Sequence, residues 1–290
     1  MTNDACRVCG AQDTQPLWAA KGFDWTRCAR CGGIQVARLP SPEMLDDLYN
    51  RNYYEGHKEA YDMSRYVDYI GQRTFIQANL RRRVEWGIKH MQAAAAGRSW
   101  LDIGCAAGFL LDEVRQRGFA PYGLDYADFG PSYAQTHMNM PNVRQGTIDA
   151  LPADFPAHFD VISYIDVIEH LPCPGDVLSR TTDLLAPGGY LIGETFDPNC
   201  WFARVCGPAW HAIDPPNHLN ILSLTGIDHL MQGRGLKLVA RASFPRTISL
   251  PTIASKLYRK AAPMLYHSPL RNAGIPLWFN DVVIWIYQKR

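Results

Sequence analysis

The sequence predicts an α/β fold, a parallel sheet crossed by helices, with a small cysteine-bearing module ahead of it. Three observations predict it. After Gly97, short apolar runs alternate with amphipathic segments. One stretch, Trp100 to Leu111, reads as a strand entering a glycine-bearing turn and then a helix. Before residue 40, two C-x-x-C pairs stand among turn formers.

From the N-terminus, residues 1–40 contain short apolar pieces, Leu17-Trp18 and Ile34-Gln35-Val36, that suit hairpin strands but are too few for an unaided core. Ser41-Pro42-Glu43 marks a helix start: Ser41 caps, Pro42 takes the first helical position, and Glu43 faces the positive helix end. The Tyr49–His57 stretch is aromatic and polar. Between Tyr61 and Ala96, Tyr66, Ile70, Phe75, Ile76, Leu80, Val84, Trp86 and Ile88 recur at helical spacing, so 41–97 is expected to be a helical linker or cap. Arg81-Arg82-Arg83 is expected to be a solvated face of that helix.

The expected strands then follow at Trp100–Ile103, Tyr122–Leu124, Phe159–Tyr164 and Tyr190–Thr195, with helices at Phe109–Arg117, Pro131–Met138 and Val177–Leu185 between them. Two late apolar runs, Leu236–Ala242 and Asp281–Tyr287, flank an insertion from Phe244 to about Leu277, read equally as a packing elaboration or a lid. The main domain is taken as 98–290.

Composition narrows the function classes. In 290 residues, 47% hydrophobic and 20% charged, one large core plus an appendage can form. A formal net charge of +1 gives little field for attracting a polyanion, which disfavours nucleic acid as partner. The opening MTNDACRVCG does not resemble a secretory leader, and no run of eighteen apolar residues appears. A cytoplasmic protein without a membrane partner is therefore expected, and in that reducing compartment the cysteines favour metal over disulfides.

The turn Gly104-Cys105-Ala106-Ala107-Gly108 lets backbone approach a ligand closely, and the amides opening the next helix favour polar or anionic groups. Asp125, at the end of the following strand, stands where a carboxylate accepts both ribose hydroxyls. An adenosine-containing ligand is expected. Ala106 and Phe109 stand where a G-x-G-x-x-G fingerprint needs glycine, which disfavours a dinucleotide.

These residues, with Gly146-Thr147-Ile148-Asp149-Ala150-Leu151-Pro152, Phe159-Asp160-Val161-Ile162 and Leu185-Ala186-Pro187-Gly188-Gly189, resemble the class I S-adenosylmethionine-dependent methyltransferases. The resemblance implies a Rossmann-like sheet of seven strands, the last antiparallel, with helices on both faces. It further implies that Asp102, Gly104, Cys105, Ala106 and Gly108 surround the cofactor's methionine part. Asp125 and its neighbour Tyr126 would serve the ribose, and Thr147, Ile148 and Asp149 the adenine. Thr147 stands where the family more often has Asp, so the adenine amine is left to Asp149.

Methyl transfer needs the acceptor atom in line with the methyl carbon, and a base only where the acceptor must lose a proton. The segment after the fourth strand resembles that of the ubiquinone-type O-methyltransferases, implying a divalent metal near Asp166, Glu169 and His170, while Asp166, nearest the expected cofactor methionine, is a candidate cofactor residue. Many relatives carry Glu-His here without a metal, so Glu169 is open to a purely structural role. In Pro215-Pro216-Asn217-His218-Leu219-Asn220 two rigid residues precede a polar cluster. His218 and His170 are candidate bases, with hydrogen-bonded loop histidines as the plainer reading and His211 a weaker candidate.

Cys6-x-x-Cys9 and Cys28-x-x-Cys31, each followed by glycine and separated by eighteen residues, can present four thiolates to one structural zinc, whereas a redox dithiol would not need the second pair. The head resembles the zinc-ribbon modules of small-molecule methyltransferases and of a ribosomal RNA methyltransferase. The expected function is methylation of a small molecule: a sugar, polysaccharide precursor or secondary metabolite. An RNA methyltransferase and a non-catalytic S-adenosylmethionine sensor are the alternatives. Oligomeric state is not legible in the residues.

Overall fold

The computed structural model describes residues 5–48, 69–91, 97–257, 265 and 268–290. The expectations for Tyr49–His57, for the helix before residue 69 and for the Ala93–Ala96 run lie outside the described residues. At the N-terminus, β1 (Thr14–Ala20), β2 (Phe23–Cys28) and β3 (Ile34–Val36) form an antiparallel meander. Ser41 then caps α1 (Pro42–Leu48), its Oγ accepting from the Met44 amide at 3.3 Å.

The helical pattern of residues 70–90 becomes α2 (Arg73–His90). Alternation then builds the sheet: β4 (Ser99–Ile103), α3 (Phe109–Arg115), β5 (Ala120–Asp125), α4 (Phe129–Met138), β6 (Val143–Gln145), β7 (Phe159–Ile165), α5 (Pro174–Leu184) and β8 (Leu185–Phe196). Short α6 (Trp201–Cys206), β9 (Asn220–Ile221) and α7 (Leu224–Gly233) precede β10 (Leu236–Ala242). The insertion contributes β11 (Arg246–Ser249), α8 (Leu250–Leu257) and β12 (Gly274–Leu277), and the chain closes with β13 (Val282–Lys289).

Seven strands stand in the order β10-β13-β8-β7-β4-β5-β6. Strands β4 to β8 are parallel, and β13 runs antiparallel to both neighbours, inserted between β8 and β10. This is the Rossmann-like seven-stranded sheet expected. Core side chains lie on both its faces: Leu178, Ile227 and Met231 of α5 and α7 on one, and Val84, Leu110, Val114 and Ala134 of α2, α3 and α4 on the other.

Two features position the site. The N-terminal meander gains a fourth strand from the main domain, because β3 pairs with β9. The insertion folds as a two-stranded ribbon, β11 with β12, tied to α2 by reciprocal bonds between the Asn79 side-chain amide and the Thr247 backbone at 2.9 and 3.0 Å. Of the arginine run, Arg81 and Arg82 lie exposed as expected, Arg81 paired with Glu113, whereas Arg83 departs from that face and is buried on Glu194. Among the described residues no helix is long and apolar enough to cross a membrane.

Candidate functional site

Parallel strands deliver their carboxyl ends to one edge, where ligands of open α/β sheets bind. There β4 ends at Ile103 and turns through Gly104, whose φ is +71°. A Cβ on Gly104 would stand 2.4 Å from a Val167 methyl carbon, so both conformation and space require glycine. The turn is pinned to β5: the Gly104 and Cys105 amides donate to the Leu124 carbonyl at 2.7 and 3.1 Å. Asp125 is buried, and its carboxylate accepts from the Ala106 amide at 2.8 Å and the Ala127 amide at 3.0 Å. The glycine turn and the acid on the next strand thus form one unit.

Asp102 lies beneath this turn, buried at 4% exposure. Register places it beside Ser163 of β7, whose Oγ donates to Asp102 Oδ1 at 2.6 Å while accepting from Trp100 Nε1 at 2.8 Å. Burial pushes the Asp102 carboxyl up to about 7; the Ser163 bond opposes that rise, and nearby Asp125 adds to it. The Cys105 side chain is buried in the core, where burial and the two aspartates push its thiol up. Only its backbone can therefore face a ligand at the turn. Gly108, with φ +76°, opens α3.

The expected adenine side is more open. Ile148 is buried, whereas Thr147 and Asp149 are exposed, and Asp149 is ion-paired with Arg180. Tyr126 is 54% exposed, and its carbonyl accepts from Gln145 Nε2 at 3.1 Å.

The sequence reading missed Arg246. Carried by β11, it bonds Asp166, at the end of β7, and Glu194 Oε1 of β8 at 2.6 Å. The second oxygen of Glu194 takes Arg83 Nε of α2 at 2.5 Å, so two arginines and two carboxylates alternate across the strand edge. The guanidinium also stands 5.9 Å from the Phe196 ring centre. Arg246 lies in a proline-bearing insertion with no periodic pattern, which left no signal pointing to β7. The acid that could have flagged the pair is Glu194, a charged residue inside the apolar run of β8.

The candidate bases come together. A short 3₁₀ turn, Ile168–His170, brings Glu169 and His170 to the loop carrying His218. The ligand atoms of Glu169, His170 and His218 lie within 4.8 Å of one another, and Glu169 and His218 are fully buried. The two imidazoles meet edge to face with centroids 5.0 Å apart. His170 Nδ1 lies 2.7 Å from the Asn217 carbonyl, and His218 Nδ1 2.7 Å from the Ala212 carbonyl. A carbonyl only accepts, so each Nδ1 carries a proton, and a neutral ring then has its lone pair on Nε2. That nitrogen can take a proton or ligate a metal. Asp166 departs from the metal group expected for it, its carboxylate being held by Arg246, and His218 stands with Glu169 and His170 instead. His211 is outside this group, its Nε2 3.2 Å from Asp281, although it and His218 pack on the same Phe196 ring.

The four N-terminal cysteines converge as well, all Sγ atoms within 4.8 Å. Cys6–Cys31 and Cys9–Cys28 are separated by 3.6 and 3.7 Å. A zinc–sulfur bond of about 2.3 Å gives a tetrahedral edge of about 3.8 Å, so the thiolates fit a closed zinc site. Both knuckles make the same turn, with Gly10 N donating to Cys6 O at 2.8 Å and Gly32 N to Cys28 O at 2.9 Å.

Comparison with known proteins agrees with this architecture. A family model described as a methyltransferase domain matches residues 69–241. The chain is similar to the ubiquinone biosynthesis O-methyltransferases of Azotobacter vinelandii and Stutzerimonas stutzeri, each 33% identical over 121 residues, 40% of this chain. It spans about half the length of these curated relatives, 51% of each. Among solved structures, magnesium protoporphyrin IX methyltransferase from Synechocystis PCC 6803 with bound SAH superposes with a TM-score of 0.55 at 15% identity, covering 86% of this chain and all of that one. A putative sarcosine dimethylglycine methyltransferase from Galdieria sulphuraria gives 0.54 at 16% identity, covering 73% of this chain and 86% of that one. These superpositions report the fold alone.

Proposed function

Because the chain belongs to the methyltransferase domain family, we propose that it transfers the methyl group of S-adenosylmethionine to a hydroxyl of a small-molecule acceptor in the cytoplasm. The observation that carries the acceptor chemistry is the pair of imidazoles fixed at Nδ1 beside Glu169, on and against the segment that follows Asp166. The O-methyltransferase relatives support an oxygen acceptor.

In this reading the Gly104–Gly108 turn and Asp102 hold the methionine part of the cofactor, and Asp125 the ribose. Ile148 packs on the adenine, with Thr147 and Asp149 at its rim. Tyr126 and Arg246 close the exposed side, so the insertion forms a wall over the acceptor. As the acceptor oxygen bonds to the methyl carbon, the carbon–sulfur bond breaks, its electron pair staying on sulfur. The hydroxyl proton passes to an imidazole Nε2, that of His170, the partly exposed ring of the pair, with fully buried His218 packed behind it. Positioning supplies most of the acceleration, because the sulfonium is already a good leaving group. The cysteines hold a structural zinc.

One observation favours a second reading of the histidine group. A buried carboxylate and two imidazoles, each offering a ligand atom within 4.8 Å of the others, suit a divalent cation, which would lower the acceptor hydroxyl's pKa directly.

Methyl-labelled S-adenosylmethionine supplied with a cell extract tests the proposal. Label in a small, nuclease-resistant compound is expected, lost with Asp125→Ala and reduced at least tenfold with His170→Ala. Label in RNA, or no turnover despite cofactor binding, would replace it with the RNA-methyltransferase or sensor reading. Dependence of transfer on an added divalent cation selects the metal reading over the base.

A further inference from the structure

The first cysteine knuckle reaches further into the molecule than zinc ligation requires. Arg7, between Cys6 and Cys9, turns its guanidinium into the main domain. Its Nε donates to Asn220 Oδ1 at 2.9 Å, and one terminal nitrogen donates to the Val36 carbonyl at 2.7 Å and the Leu219 carbonyl at 3.3 Å. Its backbone is held as well: the amide donates to Gln35 Oε1 at 2.9 Å, and the carbonyl accepts from the Gly175 amide at 3.0 Å. At that last contact a Cβ on residue 175 would stand 2.4 Å from the Val8 carbonyl oxygen, so knuckle and α5 touch backbone to backbone.

Leu219 and Asn220 directly follow His218. They are also bound on the other side: the Leu219 amide donates to the Glu169 carbonyl at 2.8 Å, and Asn220 Nδ2 to the Leu171 carbonyl at 2.6 Å. The second knuckle holds the same strand end, since Ser223 Oγ donates to the Cys31 carbonyl. Residues 217–223 are therefore laced between the two cysteine knuckles and the segment bearing Glu169 and His170. A guanidinium fork that engages consecutive residues fixes direction as well as distance.

We propose that Arg7 is a positioning residue for the reaction: through Leu219 and Asn220 it sets the placement of His218 against Glu169 and His170. The cysteine module is then part of the acceptor site's scaffold, separate from cofactor binding at the Gly104–Asp125 edge. The inference rests on reading His218 as an acceptor-side residue.

The test uses the full-length, zinc-loaded protein with Arg7→Ala and Arg7→Lys. It measures zinc content, S-adenosylhomocysteine affinity by calorimetry, ¹⁵N signals of the histidine rings, and label transfer in extract. Arg7→Ala is expected to keep one zinc and a Kd within twofold of wild type. Its transfer rate should fall about 10- to 100-fold, the scale of a reacting group displaced by about 1 Å. The His170 and His218 ring nitrogens should leave the fixed Nδ1–H pattern. Arg7→Lys, able to reach the Leu219 carbonyl without the fork, should restore part of the rate. If Arg7→Ala does not fold, Asn220→Ala, which removes the Nε acceptor, should show the same signature. Unchanged ring signals in a folded variant would overturn the proposal, as would a cofactor affinity falling in step with transfer. If wild type transfers no label, the acceptor reading fails, and the ring signals still decide whether Arg7 positions His218.

Discussion

Asp102 offers a test of how the proposed cofactor edge is built. A carboxyl at 4% exposure, with Ser163 Oγ donating to one oxygen at 2.6 Å, is poorly placed to carry charge, and burial pushes it up to about 7 from 3.8. Because the folded pKa lies above the unfolded one, the native state holds an extra proton between those values. Stability therefore falls as pH rises through that window and levels off above pH 7. The slope is about 1.4 kcal/mol per pH unit for one proton, and the full loss about 4 kcal/mol, an upper figure for a site that relaxes. Asp102→Asn keeps the shape and removes the titration. Urea unfolding of both proteins at pH 5, 6, 7 and 8 should show the variant gaining on wild type by about 1.4 kcal/mol per unit at first, then by a constant margin above pH 7. Groups common to both proteins cancel in the difference. Parallel stabilities across the range would refute the reasoning, and a wild type that gains with pH would show a carboxylate stabilised in the fold. Cofactor binding should reverse the trend: an ammonium and a sulfonium favour the ionised carboxyl, so affinity measured by calorimetry should rise with pH toward 7 and above, with proton release.

Two further outcomes are expected. The Arg83–Glu194 pair, its side chains 4% and 2% exposed, joins α2 to β8; Glu194→Gln, which takes the charge partner from buried Arg83 and weakens the Arg246 contact as well, should cost about 3–5 kcal/mol in urea unfolding, whereas Arg83→Met should cost less, because Glu194 keeps Arg246. Purified protein should contain one zinc per chain by elemental analysis, and stripping it with a chelator should lower stability by more than about 4 kcal/mol, the linkage for a site saturated roughly a thousandfold above its Kd; full retention of stability without metal would leave the thiols with no structural role.

How far the residues spoke for themselves follows from the range of each signal. Strands β4, β5, β7 and β8 and the turn at Gly104 were legible because period, turn chemistry and the acid at Asp125 are local and agree with one another. The four thiols were legible because a zinc site imposes both residue type and spacing. Arg246, Glu194 and Arg7 were not, since each acts through a partner 28 to 213 residues away, and separation along the chain carries no trace of adjacency. Arg83 shows the same limit from the other side. Within a run of three arginines every member looks solvated, yet helical geometry turns the third toward β8, where Glu194 was already the anomaly in an apolar strand.

On the proposed reading, these long-range pairs also tie the insertion to the site's chemistry. The strand edge collects Asp102, Asp125, Asp166 and Glu194, four carboxyls that repel one another in a low-dielectric setting. The fold answers in two ways: it holds Asp125 with backbone amides and lets Asp102 keep its proton near neutrality, and it brings Arg83 and Arg246 from outside the core alternation to Glu194 and Asp166. On the proposed reading, a cationic cofactor entering this edge would meet carboxylates that are already partly neutralised, and its binding would redistribute the Arg246–Asp166 contact or the Asp102 proton. The pH dependence of affinity separates these two: Asp102 titrates near 7, whereas an arginine exchanging partners leaves no proton signature in that range.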